Sequence, residues 1–163
     1  MKYNKTQNLE HVWSIICSSS VTDTQSNNIS LMNVVEKFSL ILDADEKKKI
    51  EKDGKKIALQ FNQELITRFR RVSKAVNSDI PFELALYVIT PTGKAIPLGE
   101  EQKLVFPKKF SNLRVRNMVA SIPFEGKGLY RFVLKFREVG DSEFIEGGFV
   151  PIEVDVVDKV AEK

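Results

Sequence analysis

One cysteine, Cys17, and one histidine, His11, are all the thiol and imidazole this sequence of 163 residues offers. A lone cysteine excludes an intrachain disulfide and fits a reducing compartment. One His and one Cys do not make the usual zinc ligand set within a single chain. Nor do they make a nucleophilic pair, because on one extended strand the two stand ~20 Å apart, far beyond hydrogen-bond reach. Ser18, Ser19 and Ser20 have no other conventional base. Long apolar runs are missing too. Nothing approaches the ~18 residues of a membrane span, and the stretch from Val12 to Cys17 is too short and too polar for a signal core. The expectation is a cytoplasmic protein without a membrane partner. Charge of one sign is also scarce: 25 basic against 22 acidic residues leave a net +3, too even to imply nucleic acid from bulk electrostatics. Gly126-Lys127-Gly128 lacks the spacing of a phosphate loop. Asp43-Ala44-Asp45 begins like a calcium loop, but Lys47 and Lys48 stand where a ligand and a glycine are needed. No cofactor and no metal site is expected.

What is present is alternation. From Gly128 to Arg137, Tyr130, Phe132, Leu134 and Phe136 fall on one side and Arg131, Val133, Lys135 and Arg137 on the other, which is the period of a half-buried strand. After turn residues at 140–148 the chain returns with Val150, Ile152, Val154 and Val156 inward and Glu153 and Asp155 outward. The two segments pair as a β-hairpin, with the acids expected opposite Arg131, Lys135 or Arg137.

The same pattern recurs along the chain. His11 to Ser18, Lys56 to Phe61, Leu65 to Val72, Pro81 to Thr90, Lys103 to Phe106 and Leu113 to Ile122 all carry strand signals. Residues 29–37 fit either strand or helix, with Phe38 to Leu42 favouring strand. Asp43 with Glu46 forms a capping pattern and Gly54 a stop, so a short solvated helix is expected at 43–54. Pro91-Thr92-Gly93 is a turn. The fold class is all-β: an immunoglobulin-like antiparallel β-sandwich of seven to nine strands with one short inserted helix. Residues 1–10 are expected to be a flexible N-terminal segment, 11–158 a single domain, and 159–163 a tail.

Gly128-x-Tyr130-x-Phe132 at the start of a strand resembles the tyrosine corner of immunoglobulin-like and fibronectin-like sandwiches, which implies a structural role for Tyr130. Cys17 on an early strand, Ile29-Ser30-Leu31 after an Asn/Ser-rich loop, the Pro91-x-Gly93 turn and the late Tyr130 strand together resemble small bacterial β-sandwich proteins. That resemblance implies a fold and no activity.

Two groups of residues remain as site candidates. Arg68 and Arg70 share one face of a strand, and Arg114 and Arg116 share one face of another. In a common sheet these four would gather on one surface able to contact phosphate or carboxylate. The uncharged loop between Ser18 and Asn28 offers Ser19, Asp23, Gln25, Asn27 and Asn28 for adaptable contacts. With no catalytic residues identified, the expected function is a non-catalytic binding module for another protein, including self-association through an edge strand. Binding of an anionic ligand or nucleic acid through the arginines is the alternative, and an enzyme using only carboxylates is the second.

Overall fold

The computed structural model describes residues 5–42, 57–72 and 77–158. Among them ten strands follow in order: β1 (Leu9–Thr22), β2 (Ile29–Val34), β3 (Lys37–Leu42), β4 (Ile57–Arg71), β5 (Ile80–Ile89), β6 (Ala95–Pro97), β7 (Gln102–Phe106), β8 (Asn112–Phe124), β9 (Gly128–Glu138) and β10 (Ile145–Asp158). They form two open sheets. One has the order β2-β1-β4-β8, and the other β3-β10-β9-β5-β6 with β7 also on β5.

The alternating side chains of β9 and β10 supply much of the core. Tyr130, Phe132, Leu134 and Phe136 are buried, as are Ile152 and Val154. Rings from the two sheets meet there. Phe61 of β4 stacks on Phe132 at 5.3 Å between centroids. Phe69 of β4 sets its edge against Phe82 at 5.3 Å and Phe136 at 5.1 Å. Each such pair is worth about 0.5–1.5 kcal/mol beyond the area it buries.

The immunoglobulin-like expectation needs correction. There are ten strands rather than seven to nine, in an order unlike the four-plus-three arrangement of that fold. The sandwich is not wholly antiparallel, because β3 runs parallel to β10 through pairs such as Val154↔Phe38 and Val156↔Leu40. No helix occurs among the described residues, and the segment 43–54 lies outside them. Residues 29–42 are two strands, separated near Val35 and Glu36. Residues expected as two strands at 56–61 and 65–72 are one, β4, whose register shifts between Gln60 and Gln63. Asn62 takes the strained φ of 48° at that bulge, a conformation that asparagine tolerates better than most residues. The acids of β10 also pair differently. Pro151 lies opposite Arg131 and Glu153 opposite Leu129. Asp155 instead reaches Lys37 at 3.3 Å, and Arg137 takes Glu83 at 2.7 Å.

The turn into β9 is built on Tyr130. Its ring is fully buried, while its hydroxyl accepts the Glu125 N–H at 2.9 Å and donates to the Gly126 carbonyl at 2.9 Å. Glu125 in turn accepts from Thr90 and Thr92 at 2.8 and 2.7 Å, tying this corner to the 90–94 turn. Gly128, at φ +140°, lies against Pro91, where a Cβ would come within 3.1 Å of that ring. Tyr130→Phe keeps the packing but leaves two backbone groups without their partner. A loss of about 1–3 kcal/mol in urea unfolding is expected, and unchanged stability would mean that water replaces the hydroxyl.

Candidate functional site: a cleft beneath the β1–β2 hairpin

β4 is the strand that positions the candidate residues. Leu65 and Phe69 belong to the core between the sheets, so Glu64, Ile66, Arg68 and Arg70 face outward. On β8, Val115 and Val119 face the core and Arg114, Arg116 and Met118 face outward. An outward face is normally wet. Here Ile66 is 1% and Glu64 7% exposed, so something covers them.

The cover is the β1–β2 hairpin. β1 pairs with β4 only as far as Cys17↔Glu64, while its pairing with β2 runs on to Thr22↔Ile29. Continued flat, β1 would carry Thr22 beyond the Leu59 end of β4, ~27 Å from Arg114. Yet the Nη2 of Arg114 donates to both the carbonyl and the side-chain oxygen of Asn27, each at 2.6 Å. The far half of the hairpin therefore leaves the sheet and folds back over its outer face. Ser20 fastens it there by donating to Glu64 at 2.5 Å. Cys17 is enclosed in the same contact. Burial, with the Glu64 charge added, pushes its thiol pKa up, away from reactivity.

Under the hairpin tip lies a cleft of about 460 Å³ lined by Thr22, Ser26, Asn27, Asn28, Arg68, Phe110, Asn112, Leu113 and Arg114. All four candidate arginines are on this face, but their situations differ. Arg68 and Arg114 sit directly opposite each other across β4 and β8. No carboxylate among the described residues is within ion-pair distance of either, and Arg68 donates only to Asn112 at 3.0 Å. Arg70 is held by Glu10 at 2.6 Å, and Arg116 lies 3.8 Å from Glu64. Of the loop candidates, Asn27 and Asn28 line the cleft. Asp23 is occupied in shaping the loop, accepting from the N–H groups of Gln25 and Ser26 at 2.7 and 3.0 Å, which holds its pKa down. Ser19 lies within the hairpin ladder opposite Met32, and Gln25 is not among the lining residues. Thr22, Ser26, Phe110, Asn112 and Leu113 were not foreseeable as members. The only hint was their closeness in sequence to Asn27 and Arg114.

The single histidine has a serine partner after all, though not at 18–20. His11 Nε2 lies 2.8 Å from the Ser14 hydroxyl, which lies 3.0 Å from that of buried Thr67. The ring meets Phe69 edge-on at 6.0 Å and fits over Gly147 and Gly148, where added Cβ atoms would come within 3.1 Å of it. None of the three lines the cleft, and the arrangement joins β1 to β4 and β10.

No family model matches the chain, and no curated protein matches it. Among solved structures, the soluble domain of PmoD from Methylocystis sp. ATCC 49242 (Rockwell) is similar at 13% identity, covering 91% of this chain and 94% of that one with a TM-score of 0.33. The N-terminal domain of PorA is similar at 8% identity, covering 88% and 97% with a TM-score of 0.29. Both likenesses are weak and distant. Among the described residues no helix is long and apolar enough to cross a membrane, and no group of three or more His, Cys, Asp or Glu is placed to hold a metal ion.

Burial lowers the His11 pKa from 6.5, against a bond to the Gly147 backbone that raises it. The unfolded chain therefore takes the proton first. This contribution to stability is whole above about pH 6.5 and falls as pH drops from there toward the lower folded value. Glu125 and Glu138 are held below 4.5 by their hydrogen bonds, so their losses begin at lower pH. Urea unfolding followed from about pH 7 to 5 should show declining stability, and His11→Gln should flatten that decline. A parent protein with no decline there would place the ring in water.

Proposed function

We propose that the protein is a non-catalytic binding module whose cleft beneath the hairpin takes an anionic group, carboxylate or phosphate, of its ligand. One observation carries this reading: Arg68 and Arg114 are directly opposed on adjacent strands, and among the described residues neither has a carboxylate partner. Like charges placed directly opposite destabilise a sheet. Two planar guanidinium groups facing one cleft present the fork of donors suited to an oxyanion. Ser26, Asn28 and Asn112 add polar groups around them. Asn27 holds Arg114 in place without neutralising it.

The second reading, carboxylate chemistry, has less support. A general acid needs a raised pKa, whereas Asp23, Glu125, Glu138 and Asp155 are all shifted down by the hydrogen bonds they accept.

Titration calorimetry with inorganic phosphate at low ionic strength tests the proposal. Binding should weaken as salt rises, and Arg68→Gln should weaken it by about ten-fold or more, the worth of one charge-assisted bond. The same change should leave the unliganded fold equally stable, or up to about 1 kcal/mol more stable, because it relieves a like-charge opposition. Arg70→Gln, whose guanidinium belongs to Glu10, should leave phosphate binding unaltered. Affinity indifferent to Arg68 would place the site elsewhere.

A further inference from the structure

β8 ends the four-stranded sheet. Its 13 residues make it far longer than β6, the terminal strand of the other sheet, which has three. Natural edges are commonly guarded by charge, proline or shortness. Between Asn117 and Ile122 this one has neither charge nor proline. Beside it the two sheets touch through Asn117 and Gln102 but do not close fully. They leave a cleft of about 430 Å³ lined by Leu86, Pro97, Leu98, Val119, Ile122 and Gln102 among others. Met118, on the outward side of the same strand, is 63% exposed. Asn117, 7% exposed, accepts from Gln102 at 2.6 Å, while its own amide nitrogen has no acceptor among the described residues, an unmet donor of the kind that native interiors rarely keep.

The two faces of this edge differ in chemistry. A strand added beside β8 would turn alternate side chains inward to the apolar cleft and outward alongside Arg114, Arg116 and Met118. Among the described residues Arg114 has no carboxylate partner, and Arg116 has Glu64 alone, at 3.8 Å. Cross-strand opposition of unlike charge stabilises such a pairing. We propose that the β8 edge is the docking site for an extended segment of a partner protein in which acidic and apolar residues alternate. The segment adds to the sheet as a fifth strand, antiparallel to β8, with its carboxylates facing Arg114 and Arg116 and its apolar side chains entering the cleft. The proposal rests on the anion-binding reading only through Arg114; the open edge and the apolar cleft are independent of it.

The probe is a fluorescein-labelled peptide of about ten residues, alternating Glu and Val, long enough to span most of β8. Fluorescence anisotropy should show saturable binding to the full chain, about ten-fold tighter than that of the matching Lys–Val peptide. Methylating every second peptide nitrogen, in both registers, should abolish binding in the register that blocks the new ladder, and this test leaves the protein unaltered. Arg116→Glu and Leu98→Arg, each confirmed folded by circular dichroism, should weaken binding by about ten-fold or more. Arg68→Gln, the change that weakens phosphate binding, should move peptide affinity less than about two-fold, because Arg68 lies on the inner neighbour β4. Amide exchange should slow along β8. Equal binding of the Lys–Val peptide, indifference to N-methylation, or protection appearing on β2 instead would each overturn the proposal. So would a dimer whose β8 amides are protected before any peptide is added, since the edge would then belong to a second copy.

Discussion

Much that is distinctive about this molecule follows from the burial of the middle of β4, at Glu64 to Thr67, on both faces. Its inner face meets the second sheet through Phe61 and Phe69. Its outer face, which a four-stranded sheet would ordinarily leave wet, is buried at Glu64 and Ile66, where the β1–β2 hairpin reaches it through Ser20. Burying the outer face removes water from Ile66, Cys17 and Glu64 together. The apolar pair favours that transfer, but the carboxylate does not unless it is paired. Ser20 and Arg116 supply the pairing. The hairpin thus encloses an acid whose bonds then help to fix where the hairpin lies.

That constraint also creates the cleft. Once the tip sits above β8, Asn27 engages Arg114, and the space left between tip and sheet is bounded by two arginines with no acid of the described residues in ion-pair reach of either. Of the neighbouring guanidinium groups, that of Arg70 is held by Glu10 at 2.6 Å, while that of Arg116 lies 3.8 Å from Glu64. The face is therefore not a uniform basic patch. Arg70 is tightly paired and Arg116 only loosely, whereas Arg68 and Arg114 face the cleft with no carboxylate partner among the described residues.

Much of this was legible in the chain. The period of two from Tyr130 to Phe136 fixes which residues enter the core, because a one-residue slip would invert both faces. The same argument put Arg68 with Arg70, and Arg114 with Arg116, on shared faces. What alternation does not carry is pairing between distant segments. Nothing in Phe38 or Val154 announces that their strands lie parallel. Glu153 and Arg131 look complementary, yet the ladder sets Pro151 opposite the arginine and Glu153 opposite Leu129. Asn62, Gln63 and Glu64 look like a break between two strands, and only the ladder to β8 shows that they form a bulge within one. The cleft was out of reach for a further reason: the departure of β1 from the sheet after Cys17 is a three-dimensional bend of an otherwise ordinary strand.

The account stands or falls on the covered outer face. Its most direct test is the relaxation enhancement that a soluble paramagnetic agent produces at side-chain methyls, with Ile66 compared against Met118. Both project from the same outward face, at 1% and 63% exposure. With the hairpin folded back, the Met118 methyl relaxes strongly and the Ile66 methyls stay near the level of core residues such as Leu65. Comparable enhancement at Ile66 and Met118 would show that the hairpin does not lie over β4, and the cleft beneath it would then not exist.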